Sequence, residues 1–173
     1  MIMPAGRPLL LPVNPRFVLL SLLLTLLLQM ALGLMHLPWL PDVLALTLAF
    51  WSVHQPRLVG MGLGFVLGLA VDVHEGALLG QNALAYVLLS YLTLQLYRRL
   101  QGFSATQQAL QVAPIFVLAA ASEWLVRALA GDGPPGWAAL LAPLLQALLW
   151  PLANWLLLAP QRRAHDPDDI RPL

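Results

Sequence analysis

Apolar residues gather into long runs, and the breaks between them carry the chain's charges, prolines and glycines. A chain built this way must hide its backbone polar groups from lipid, and a helix does so within one segment. The runs cover residues 17–37, 39–53, 59 to the Asp72-Val73-His74-Glu75 break, 77–97, 109–130 and 137–159. A crossing needs roughly 20 apolar residues, so the second and third runs are short and the others full length. With 60% of 173 residues apolar and 10% charged, the balance excludes an ordinary water-soluble domain. The reading is an all-α polytopic membrane protein of about six transmembrane helices in a compact bundle. Residues 1–16 and 160–173 form cytoplasmic tails around a membrane domain at 17–159.

Orientation follows from the arginines, which supply every basic residue. Six crossings put Arg7, Arg16, Arg57, Arg98, Arg99, Arg162, Arg163 and Arg171 on one side, with Arg127 alone near the other. Asp42, Asp72, Glu75 and Asp132 gather opposite. The positive-inside rule then places both termini in the cytoplasm. Trp39, Trp124 and Trp137 are expected at the outer interface, and Trp51, Tyr97 and Trp155 at the inner one. A formal charge of +1 gives no basic field for nucleic acid. Arg16 followed by an apolar stretch and Ala31-Leu32-Gly33 also suits a cleaved secretory signal, but the run continues to Leu37. The tail 165–173, charged and proline-containing, reads as disordered.

Two stripes stand out at helical spacing. Ser21, Thr25, Gln29 and Gly33 recur every four residues in the first run, a polar face that should meet protein. In the third, Gly60, Gly64 and Gly68 share that spacing and Asp72 continues it. Small residues so placed let another backbone approach closely. Further polar positions expected to make contacts inside the membrane are Asn82 and Tyr86 with Ser90, Glu123 with Arg127 at i,i+4, and Asn154 in register with Gln146 and Trp150. Pro143 and Pro151 are expected to kink the sixth helix, and Pro114 the fifth.

No catalytic constellation emerges. His74-Glu75 begins a zinc-protease signature, but position 78 is leucine. The chain has no nucleophile elbow, no phosphate loop with a lysine, no cysteine and no intramembrane acidic set suited to a metal. An enzyme is disfavoured, and neither metal nor cofactor is expected.

From Pro41 onward the residues resemble the MreD family of bacterial rod shape-determining membrane proteins. The carriers are Pro41 with an apolar run closing on Phe50-Trp51, then Pro56, Gly64-Phe65, Gly68 and Asp72. Gly76, Leu79-Gly80 and Tyr91 complete the family's Gly-to-Asp-to-Gly hairpin, and Gln107-Gln108-Ala109-Leu110 and Leu149-Trp150-Pro151 are similar to family members further on. Gly60, Gly64, Gly68, Asp72, Gly76 and Gly80 are thus the expected helix-packing or partner interface. The resemblance implies a non-enzymatic inner-membrane scaffold subunit of the cell-elongation complex. Its neighbours would be MreC directly, the MreB filament system, RodA with its class B penicillin-binding partner in peptidoglycan synthesis, and membrane lipids. The family is also similar in helical arrangement to substrate-binding subunits of energy-coupling-factor vitamin transporters, which gives an alternative function of a different class.

Overall fold

The computed structural model describes residues 13–161 apart from 36, 132, 134 and 135. Both ends of the chain, with Arg7, Arg162, Arg163, Arg171 and the 165–173 tail, lie outside the described residues, as does Asp132. The described residues are helical and loop throughout: α1 (Pro15–Gly33), α2 (Val43–His54), α3 (Met61–Glu75), α4 (Gln81–Leu100), α5 (Ala105–Leu129) and α6 (Leu141–Leu157). A 3-10 turn, Trp137–Leu140, leads into α6. Three helical segments are long and apolar enough to cross a membrane: Pro15–Gly33, Ala105–Leu129 and Trp137–Gln161.

Local chemistry sets the boundaries. Asn14 accepts from the Arg16 N–H at 3.0 Å with Pro15 opening α1, and Asp42 accepts from the Ala45 N–H at 2.8 Å at the start of α2. Both are side-chain N-caps. Ser104 starts α5, its N–H donating to Gln107 Oε1 at 3.1 Å. The polar stretch 101–108 is therefore not all linker: Thr106, Gln107 and Gln108 are already helical. Pro143 occupies the first turn of α6, where a missing N–H costs nothing, whereas Pro114 and Pro151 lie within their helices.

α2 occupies the centre. Every residue from Leu44 to Val53 is buried, as expected of a helix that is apolar all round. It packs against α1, α4 and α6, while α3 lies on α4 and α1, and α5 lies on α4 and α6. With 12 residues it is about 18 Å long, a length more typical of a core helix than of a span. Phe50, Trp51, Trp150 and Phe116 form its aromatic core, with Phe50 edge-on to Trp51 at 5.0 Å. Trp51 has no exposure and donates its Nε1–H to Ser21 Oγ at 2.9 Å, so it belongs to the core and not to an aromatic belt. Trp39, Trp137 and Trp155 are exposed.

The outside is apolar and the inside partly polar. Leu19, Leu20, Leu23, Leu24 and Leu27 stand out from α1, and Leu144, Leu148 and Leu152 from α6. Thr47, Ser52, Asp72, Asn82, Gln108 and Asn154 are buried. This distribution suits lipid around a self-satisfied interior.

At the end holding Arg16, Arg57, Arg98 and Arg99, Gln108 joins three elements. Its Oε1 accepts from Trp150 Nε1 and Asn154 Nδ2, both at 3.0 Å, and its Nε2 donates to the Leu100 and Phe103 carbonyls at 3.0 and 3.2 Å. Gln108→Leu orphans these partners, of which Leu100, Trp150 and Asn154 are buried. It should lower stability by about 2–3 kcal/mol, read as a reduced Tm of the detergent-solubilised protein.

Candidate functional site

The α3–α4 hairpin is built around Asp72. This carboxylate is fully buried, and its oxygens accept from the backbone N–H groups of Gly80, Asn82 and Ala83 at 2.8, 2.8 and 3.3 Å. Gly80, the residue that opens α4, has no side chain with which to cap it. Asp72 supplies that cap from the neighbouring helix, placing negative charge where the helix N-terminus favours it. The turn between them needs left-handed backbone at both ends, and Gly76 (φ 62°) and Gly80 (φ 101°) provide it without a Cβ penalty.

Gly64 and Gly68 lie under α4. A Cβ on Gly68 would overlap the Ala83 backbone, and one on Gly64 would come within 2.8 Å of Ser90 Oγ and 3.0 Å of the Tyr86 carbonyl. Gly60 stands apart: it is the N-cap of α3 and nothing lies within 4 Å of where its Cβ would be. The six positions expected as one packing face thus divide by role. Two carry close packing, one is the cap, two turn the chain, and Gly60 begins the helix.

Beyond this hairpin, at the end away from Arg57, Arg98 and Arg99, the helix ends surround a cavity of about 840 Å³. α1 contributes Gln29, the α2 N-terminus Asp42, α3 Glu75, α4 Gln81, Asn82 and Tyr86, α5 Glu123 and Arg127, and α6 Gln146. Tyr86 donates its hydroxyl to Asp42 at 2.6 Å, and Gln146 Nε2 donates to the Asp42 carbonyl at 3.0 Å. Gln29 accepts from the Val43 N–H at 3.1 Å. Arg127 pairs with Glu123 at 2.9 Å. Turning the Gln81 amide so that its oxygen faces Arg127 adds two bonds from the guanidinium, at 2.8 and 3.0 Å.

Of the polar positions singled out in the sequence, Gln29, Asn82, Tyr86, Glu123 and Arg127 line this cavity, while Asn154 belongs to the Gln108 cluster at the opposite end. Asp42, Gln81 and Gln146 complete the cavity. Gln146 had a signal in its register with Asn154. Asp42 was visible only as one acid among several near the helix ends.

The arrangement can recognise polar groups. His74 Nε2 lies 3.0 Å from the Met30 carbonyl, engaged in a structural contact. Among the described residues no group of three or more His, Asp or Glu is placed to hold a metal ion.

The model of the family described as "rod shape-determining protein MreD" matches residues 10–159. The chain is also 31% identical over 111 residues to a rod shape-determining protein MreD of Haemophilus influenzae, covering 64% of this chain and 68% of that one. No solved structure matches it. The vitamin-transporter alternative gains no support from these comparisons. The match runs from before α1 to the end of α6, including the Asp72 hairpin and the Gln108–Trp150 contact, and the chain belongs to the MreD family of rod shape-determining membrane proteins.

Proposed function

We propose that this chain is a non-enzymatic scaffold subunit of the bacterial cell-elongation complex, held in the inner membrane by six crossings with both termini in the cytoplasm. It would support MreC directly and, through the assembly, RodA, its class B penicillin-binding partner and the MreB filament system. The observation that carries this reading is a family match extending over the whole helical bundle. Arg16, Arg57, Arg98 and Arg99 at one end of the bundle support the orientation, because that end is the one favoured in the cytoplasm.

Gly64 and Gly68 are occupied by α4, which leaves the opposite side of α3, with exposed Phe65, Val66 and Val73, as the surface for a partner. Depletion in a rod-shaped host should round the cells, and a photocrosslinker at Phe65 or Val66 should capture MreC. Normal shape on depletion together with no MreC adduct would sink the proposal. A reporter active only outside the cytoplasm should be silent when fused after Arg57 or Arg99 and active after Glu75 or Gly133; activity at Arg99 would overturn the six-span orientation.

A further inference from the structure

The cavity holds more hydrogen-bond acceptors than the protein itself uses. Asp42, Glu75 and Glu123 contribute three carboxylates against one guanidinium, and Arg127 is already taken by Glu123. Among the described residues Glu75 receives only the long 3.5 Å contact from Asn82 Nδ2. Gln146 and Asn82 are 6% and 5% exposed, and each spends its amide nitrogen inside the protein. The two amide oxygens have no protein donor among the described residues. Asn82 and Gln146 line the cavity, and its lining carries more acid than base, so a donor that bears positive charge would complement it.

We propose that this cavity binds a small organic cation free of phosphate, of the alkylamine or polyamine class. Ammonium N–H groups supply both the missing positive charge and the missing donors. Methylene segments suit the intervening walls, which include Ala85, Phe116 and Trp124. A volume of about 840 Å³ falls in the range of small-molecule sites, roughly 300–1,000 Å³. A ligand with its own phosphate would meet the carboxylates with no unpaired arginine among the described lining residues to receive it.

The test is calorimetric titration of the full-length protein in neutral detergent, at fixed low ionic strength, with spermidine. The expected result is saturable binding with one site per chain. Glu75→Gln, at an exposed position on the last residue of α3 where folding is not at stake, should weaken it about tenfold, or about 1.4 kcal/mol. Phosphoethanolamine, which carries the same kind of ammonium beside a phosphate, should show no saturable heat. The same order should appear as Tm shifts in nanodiscs of neutral lipid. Absence of saturable spermidine binding in both settings, unchanged affinity in Glu75→Gln, or equal binding of phosphoethanolamine would each overturn the proposal.

Discussion

Gly68→Leu is expected to leave almost no folded protein in the membrane, and Gly68→Ala is expected to be the most damaging alanine substitution in α3. The new Cβ would fall on Ala83, 2.6 Å from its backbone nitrogen and 2.8 Å from the Asn82 carbonyl carbon. Backbone cannot rotate aside as a side chain can, so α3 and α4 must separate. The cost should exceed the roughly 1–3 kcal/mol usual for overpacking. Gly64→Ala should be milder and partly rescued by Ser90→Ala, since Ser90 Oγ is its nearest obstacle and makes no hydrogen bond of its own. Gly62→Ala has open space and should be neutral or stabilising by up to about 1 kcal/mol. Thermal unfolding of Gly62→Ala, Gly64→Ala, the Gly64→Ala/Ser90→Ala double variant and Gly68→Ala in one detergent checks the ranking. Equal Tm values for Gly62→Ala and Gly68→Ala would contradict the close approach of the two helices.

Asp72→Ala should be nearly as damaging. Three backbone N–H groups at the start of α4 lose their acceptor together, two of them on buried residues. Hydrogen bonds to a charged group contribute about 1.5–3 kcal/mol each and do not add fully, so a loss of about 3–5 kcal/mol is expected. Asp72→Asn should fall between, because one amide oxygen can still accept while its NH2 faces donors. Hydrogen exchange should locate the damage: amides 80–83 would exchange faster in both variants, while those in the middle of α2 would lose protection only as global stability falls. Unchanged protection at 80–83 would show that α4 begins without this carboxylate.

The hairpin was readable because its information is local. Gly64, Gly68 and Asp72 repeat at the interval that aligns side chains on one helix face, and Gly76 and Gly80 follow within eight residues of the acid. The repeat could not separate a packing glycine from Gly60, which has the same spacing but falls just before the helix begins. The cavity was less readable, because Asp42, Tyr86, Glu123 and Gln146 come from four helices and meet only when those helices pack. Trp51 illustrates a different limit. Its position near the end of an apolar run suits an interfacial ring, and only the location of α2 in the middle of the bundle turns it inward. Likewise Pro143 carries the same residue type as Pro151, and the difference of one or three helical turns from the start decides whether a hydrogen bond is lost.

The central position of α2 also has a consequence for biosynthesis. This helix is made second, yet two of the three helices that cover it, α4 and α6, emerge much later, and α6 last of all. Until then a segment of 12 residues, too short to cross the bilayer comfortably on its own, must wait beside α1 without its final surroundings. Maturation of the core is therefore tied to completion of translation, and a ribosome-stalled chain ending before α6 should remain protease-sensitive around Val43–His54 even with its first helix already anchored.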